Sequence, residues 1–361
     1  MTDNRRRHDI PVSEGGESRS YGTRAASTAA LDTRGLRSLV ANMTAEQKDL
    51  RRELGMFKEA RAARFEAPKW EARASKGGHA GLIVAQLTDT HWDEVVKPEE
   101  IFDLNAYNRR IALARFKLWV EKVITLPRDY FAGVRIEGLV IPATGDLLSG
   151  DIHLELKQHN EDQLLASVLF WSGQVLSALE TLESEYPAVS VHAVVGNHGR
   201  LSVKPIFVGR PHDNVEWLLW SIVRDRLADR GSKVVVEVSD SADLNVPLYG
   251  RNHLLTHGDQ FHGGSGISGP YSPLMLGQHR KGIRQAAAKM PMDLMVLGHL
   301  HQFIDIPGLI MGGSMVGYNS YAFLHNLRPE LARQALWVTT PERGKIMSMP
   351  VELQDRKAEG W

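Results

Sequence analysis

Apolar positions along this 361-residue chain fall into two textures that meet near Gly81. Before it, residues 1–35 are rich in Ser, Thr, Gly, Arg and Ala with no apolar period. Such a composition buries too little surface to offset its ordering entropy, so disorder is expected over 1–40. Thr44 followed by Gln47 has the form of a capping box, and Leu50, Leu54, Phe57, Arg61 and Phe65 recur near helical spacing, which predicts one helix over about 44–66. After Gly81, β-branched runs alternate with helical patterns. Strands are predicted at 82–87, 139–143, 189–195, 234–238, 254–256, 294–297, 309–311 and 336–339. Helices are predicted near 103–126, 160–184 with Asn160 as cap, 213–229, and 273–289 with Ser272 as cap and Pro273 first. The alternation implies an α/β body over 79–361 behind an N-terminal extension at 1–78.

Charge sharpens that division. The chain carries 43 Lys and Arg against 43 Asp and Glu. Residues 1–78 hold 16 basic and 11 acidic side chains, so a +5 leader precedes a −5 body. A uniformly basic nucleic-acid coat is excluded. Cysteine is absent, which removes disulfide scaffolds, thiolate zinc sites, iron–sulfur clusters and thiol nucleophiles. Residues 1–10 contain no apolar signal core, and no stretch approaches the roughly 18 apolar residues of a membrane helix. A cytoplasmic protein without a membrane partner is expected; oligomeric state is not legible.

Five predicted strands end in polar residues of one chemical kind: Asp89-Thr90-His91, Gly145-Asp146, Gly196-Asn197-His198, His257-Gly258-Asp259 and Gly298-His299-Leu300-His301. Ligands of α/β sheets collect at the carboxyl ends of strands, so these ends are expected to meet in one crevice. Asp, His and Asn without Cys suit hard or borderline divalent ions such as Mn2+, Fe2+ and Zn2+. Seven such groups exceed the needs of one ion. With one carboxylate shared they fit two ions roughly 3.5–4 Å apart, the arrangement of two-metal phosphoester hydrolysis. In an extended chain the alternate residues of Asp-x-His and His-x-His point the same way. Gly145, Gly196 and Gly298 are expected to let the backbone approach closely.

The order Asp-x-His, Gly-Asp, Gly-Asn-His, His-Gly, Gly-His-x-His resembles the calcineurin-like metallophosphoesterase superfamily, over residues 82 to about 352. The resemblance implies a four-layer α-β-β-α sandwich. It implies that Asp89, His91, Asp146 and His301 hold one ion, that Asn197, His257 and His299 complete a second site, and that Asp146 bridges. Metal-bound hydroxide would attack phosphorus, and His198 would protonate the leaving group.

Two departures qualify it. Gly199 and Arg200 stand where the superfamily usually has an acid after Gly-Asn-His, and 145–151 lacks the protein Ser/Thr phosphatase signature. The Gly-Asp-Leu and Gly-His-x-His forms are similar to SbcD-type DNA-repair exonucleases. With about 60 residues after His301, a chain without their capping domain is expected, and compact members with a basic extension resemble bacteriophage-encoded proteins. The expected substrate is therefore a phosphodiester, DNA foremost, with Mn2+ the preferred ion. A phosphomonoesterase, and a scaffold with a vestigial site, are the alternatives.

Arg200 is a candidate grip for a substrate phosphate. His153, His262 and Asp259 lie near motifs without a defined role. Trp171, Trp217 and Trp220 sit in helical patterns and are expected in the core. Gly263-Gly264-Ser265-Gly266 lacks the Lys of a phosphate-cradling loop.

Overall fold

The computed structural model describes residues 78–261 and 269–361, together with helical backbone at 37–38, 40–45, 47–48 and 51. The chain divides into Met1–Glu71 and Ala72–Trp361. In the first unit helix is under way before Thr44, whose hydroxyl donates to the Val40 carbonyl at 2.6 Å. Thr44 is thus a mid-helix residue bonding back one turn, not the expected cap. Helical backbone also reaches into the span expected to be disordered, because residues 37–48 contain no Gly or Pro to break it. The remaining parts of 1–40 and of the expected 44–66 helix lie outside the described residues.

The first sheet of the second unit contains β1 (His79–Ala85), β2 (Val134–Ala143), β3 (Val189–Ala193) and β4 (Val235–Val238), all parallel. Two antiparallel strands, β10 (Arg333–Thr340) and β11 (Gly344–Glu352), extend it in the order β11-β10-β1-β2-β3-β4. The second sheet comprises β5 (Asp243–Leu248), β6 (Arg251–Thr256), β7 (Leu294–Leu297), β8 (Ile304–Ile306) and β9 (Leu309–Met311), ordered β5-β6-β7-β9-β8. Its three inner strands are parallel and its two edges antiparallel.

Successive strand residues face opposite sides, and the buried side chains sort accordingly. Ile83 and Ala85 join a core shared with α1 (Arg109–Tyr130), α3 (Leu164–Glu185) and α4 (Val215–Asp229). Val84 lies between the sheets with Val140, Val296, Ile310 and Trp337. Met295 and Leu297 meet Leu274 of α5 (Tyr271–Ala287) on the far side. The four-layer α-β-β-α sandwich is therefore present.

Several elements differ from expectation for local reasons. The first helix starts at Arg109 rather than 103, because Asn108 caps it by accepting from Ile111 N at 2.9 Å. The expected 160–184 helix, α3, starts at Leu164 rather than at Asn160, because Asn160 instead ends a separate and unexpected helix, α2 (Leu154–His159), and donates to the Gly150 carbonyl. Between them Glu161 N bonds the Asp93 carbonyl, and Asp162 pairs with Arg109, so 160–162 are drawn out of helical geometry. The last expected helix begins at Tyr271, leaving Ser272 inside it.

Strands β5, β8 and β11 were not foreseen. Pro247 and Pro350 interrupt the runs of two of them, and both are edge strands, where a missing N–H is tolerated. β8 has only three residues. Helix α3 is long and apolar enough to cross a membrane by length and composition, contrary to the sequence expectation. Its Val168, Trp171, Val175, Leu179 and Leu182 face the core, which accounts for that composition.

A buried ion pair reaches the site from below. Arg115 meets both carboxylate oxygens of Glu359, on α6 (Arg356–Glu359), at 2.7 and 2.9 Å. The same guanidinium donates to the Met315 and Val316 carbonyls, and Met315 N in turn donates to the Asp89 carbonyl at 2.9 Å. Packing between the sheets should carry much of the stability. Trp337→Ala is expected to lower it by about 3–5 kcal/mol, as large core truncations do, measurable as a fall in the urea midpoint. A loss below about 1 kcal/mol would show that this layer is not tightly packed.

Candidate metal centre

The carboxyl ends of β1, β2, β3, β6 and β7 converge, and all seven residues expected as ligands meet there. Asp89, His91 and His301 offer atoms mutually within 4.8 Å, as do Asp146, His257 and His299. His301 Nε2 lies 3.1 Å from His91 Nε2 and 3.4 Å from Asp89 Oδ1. His257 Nε2 lies 2.9 Å from Asp146 Oδ2 and 3.1 Å from Asn197 Oδ1. Asp146 also forms a third group with His91 and His198, so it stands between the two sets.

Local backbone makes this convergence, though not as an extended chain would. Asp89, His91, Asp146, His299 and His301 all have positive φ, between 44° and 74°. These left-handed residues turn both members of each x-spaced pair inward, which corrects the extended geometry expected for Asp-x-His and His-x-His. Five strained non-glycine residues at one point are held only because the surroundings over-determine them. The glycines serve the carboxylates more than the ions. A Cβ on Gly196 would stand 2.1 Å from Asp146 Oδ1, and one on Gly298 would stand 2.1 Å from Asp89 Oδ2.

The donors fit divalent ions. His257 holds its Nδ1 2.7 Å from the Thr144 carbonyl, which makes Nδ1 a donor and leaves Nε2, facing Asp146 and Asn197, as the nitrogen that would take a metal in place of its proton. The facing Nε2 atoms of His91 and His301 need one proton or one cation between them. Oxygen and imidazole nitrogen ligands of this kind suit borderline metals.

His198 does not lack an orienting partner. Its Nδ1 is 2.7 Å from the Ser149 carbonyl, and its backbone N–H donates to Asp146 Oδ1 at 2.8 Å. A carbonyl does what the absent acid after Gly-Asn-His would do. Its ring centroid lies 4.5 Å from that of His91 and 5.8 Å from that of the exposed His153.

Arg200, in contrast, is turned away from the role expected of it. Its guanidinium donates to the carbonyls of Ser202, Asn197 and Val203, so its fork is taken up by its own loop. Asp259 accepts from Arg210 at 2.9 Å and makes no hydrogen bond to His257. His262 and the 263–266 glycine run lie outside the described residues. Trp171 and Trp220 are buried in the core as expected, while Trp217 is half-buried beside His212.

Three supporting residues escaped sequence reasoning. Glu94, buried, lies 3.2 Å from His91 Nδ1 and accepts from Asn319 Nδ2 at 2.8 Å. Its place three residues after His91 was the available signal. Glu216, wholly buried, accepts from Leu147 N at 2.6 Å and Gly196 N at 2.9 Å, tying the Asp146 turn to the Asn197 turn. Asn214 donates to the Gly196 carbonyl and caps α4 by accepting from Glu216 N. Both act on backbone groups far away in sequence, which no local motif records.

Burial and charge compete at each imidazole. Burial would lower His91, but the hydrogen bond and charge of Glu94 outweigh it and raise the group to about 9. Burial likewise opposes protonation of His257, and Asp146 overrides it, to about 10. Neither ring of His198 or His299 hydrogen-bonds an acid, and burial, helped by the neighbouring His91 and His257 and opposed by Asp146, pushes both down to about 4. Asp146 is held well below the ordinary carboxylate range, the cost of its burial being overcome by His257, His198 and His91.

Imidazoles must be neutral, and carboxylates ionised, to bind a metal. At pH 7 metal uptake is thus expected to displace protons from His91 and His257. Apparent affinity should rise with pH by roughly tenfold per unit for each proton displaced. Calorimetric titration with Zn2+ in buffers of different ionisation enthalpy measures that release; none at pH 7 would contradict the ionisation described.

No family model matches this chain, and no curated protein matches it. Similar solved structures include Vps29 from Entamoeba histolytica complexed with Zn2+, at 15% identity and a TM-score of 0.30, covering 75% of this chain and 99% of that one. A putative 5'-nucleotidase from Staphylococcus aureus matches at 11% identity and 0.35, covering 76% of this chain and 55% of that one. A dimetal phosphatase from Danio rerio matches at 10% identity and 0.33, covering 76% and 99%. Identities and TM-scores this low assign no activity to the chain.

Proposed function

We propose that this chain is a two-metal phosphoester hydrolase, acting on phosphodiester bonds and on DNA foremost. The observation that supports it most is the position of Asp146, common to two ligand groups at the ends of strands from both sheets. In this reading Asp89, His91, Asp146 and His301 hold one ion, and Asp146, Asn197, His257 and His299 hold the other. Two divalent ions, Mn2+ by preference, supply a nucleophile from water and neutralise charge developing on the phosphoryl oxygens.

The chain's own groups then do the rest. Glu94 and the Thr144 carbonyl fix the rings of His91 and His257, so little reorganisation is needed when ligands close on the ions. Glu216 and Asn214 hold the Asp146 and Asn197 turns in register. His198, oriented by Ser149, faces His91 and is the group available to handle the leaving-group proton. Burial keeps it neutral when substrate is absent, and an anionic phosphoester arriving beside it favours the charged form.

The motif forms favour a phosphodiester over a monoester, and the carbonyl that orients His198 weakens the case for a vestigial site. The comparison that separates these readings is turnover of a bis-aryl phosphate diester, an aryl phosphate monoester and single-stranded DNA, with Mn2+ and with a chelator. Metal-dependent cleavage of the diester and DNA is expected. Monoester hydrolysis with DNA untouched would overturn the nuclease reading, and no turnover by metal-loaded protein would favour a scaffold. His198→Ala should lower turnover by roughly 10²–10⁴ while leaving metal content intact; unchanged turnover would remove His198 from the chemistry.

A further inference from the structure

The segment that leaves the metal centre after His198 has an unusual surface. Phe207 is 98% exposed, Val208 89% and Val203 84%, with Leu201 also exposed. One apolar side chain in solvent is ordinary, but five within eight residues, counting the less exposed Ile206, are not.

The loop is nonetheless built rather than loose. Arg200 staples its start through three carbonyls, one of them that of Asn197. Leu201 N donates to the Asp213 carbonyl at 2.9 Å, and Ser202 N to the Asp213 carboxylate at 3.3 Å. At its far end Arg210 reaches Asp259, two residues past His257. Asn197, Ile206 and Asp259 line one narrow cleft between the loop and these strand ends. Both feet therefore rest on residues beside expected ligands, and the apolar tip is carried at the rim of the centre.

We infer that the 201–208 loop recognises substrate by packing Phe207 and its apolar neighbours against nucleobases of single-stranded nucleic acid beside the bond to be cleaved. The inference rests on the phosphodiesterase reading and deepens it. Continuity carries the argument: whatever the tip touches is covalently attached to, or immediately beside, a phosphoester lying at the centre. In a polymeric phosphodiester the flat groups carried along the chain beside each phosphate are nucleobases, and an aromatic ring receives any of them because every base has a π-face. Charge agrees through Lys204, which stands in the loop exposed and without an ion pair among the described residues, whereas Arg200 and Arg210 are taken up by carbonyls and by Asp259 and hold the loop in place. A cation beside an apolar tip matches a phosphate beside bases. No such continuity with the centre is required of a lipid surface or a protein partner.

The test uses the full chain, loaded with Mn2+, and the double variant Phe207→Ser with Val208→Ser, with Phe207→Trp as the conservative form. Thermal unfolding should be unchanged, as these side chains are in solvent. Relative to wild type, the double variant should lose roughly 5- to 100-fold in kcat/KM on a single-stranded oligonucleotide, mainly through KM, the range seen when a stacking aromatic is removed. Its turnover of a bis-aryl phosphate should be unaltered, and Phe207→Trp should restore cleavage of the oligonucleotide. Equal loss on both substrates, or no loss on the oligonucleotide, would overturn the inference while leaving the phosphodiesterase reading intact.

If wild type cleaves neither substrate, the phosphodiesterase reading fails, and anisotropy of a fluorescent oligonucleotide then decides on the loop. Binding that the double variant weakens would support it, and equal or absent binding would overturn it. Sedimentation with phosphatidylcholine–phosphatidylglycerol vesicles that depends on Phe207, with oligonucleotide binding unaffected by the variant, would assign the tip to a lipid surface instead and overturn the inference.

Discussion

A cluster of buried acids is what the rest of this structure answers to. Asp89, Glu94, Asp146 and Glu216 are all shielded from water around one point. An isolated carboxylate in such surroundings is costly unless paired and hydrogen-bonded. Protonated His91 and His257 balance the charge in the absence of metal, which is why both are held charged beyond neutral pH. Divalent ions answer the same need with higher charge, displacing those protons as they bind. The left-handed backbone at five of the ligand residues is tolerable in this context, because the surrounding hydrogen bonds and packing outweigh its cost.

Layering makes the cluster possible. Parallel strands send their carboxyl ends to the same side, and two such sheets packed through Val84, Val140, Val296 and Trp337 bring five ends together. The ends come from segments far apart in sequence, so their register must be fixed across the molecule. Glu216 does this from α4, bonding backbone N–H groups of two different turns. Arg115 does it from α1, through Glu359 and the Met315–Val316 carbonyls to Asp89. In both cases a buried polar side chain spends its hydrogen-bonding capacity on backbone, converting packing of an outer helix into placement of a ligand.

Much of the centre was legible because its residues sit at strand ends and punctuate apolar runs. Asp89, His91, Asp146, Asn197, His257, His299 and His301 could be named from pattern and resemblance, and the structure brings six of them into shared groups with Asn197 against His257. What could not be read is what acts across the fold. Glu94, Glu216 and Asn214 look like ordinary polar residues, and their importance lies in partners that sequence does not juxtapose. Arg200 shows the converse: a cation beside a motif suggests a phosphate, whereas nearby carbonyls already occupy it. Among strands, the ones missed were edges bearing Pro247 and Pro350 or a three-residue segment, since edges need neither full periodicity nor every N–H. Apolar Leu164–Glu185 misleads by composition alone, because a helix facing a large core can be as apolar as one facing lipid.

The central claim is that Asp146 joins two ion sites into one centre. It is tested most directly by metal content of the purified full chain after equilibration with Mn2+, compared with Asp146→Ala shown to be folded by circular dichroism. The account predicts about two ions per wild-type chain and fewer than one in the variant, since neither ligand set is complete without this carboxylate. A single ion in wild type, or two retained by Asp146→Ala, would contradict it.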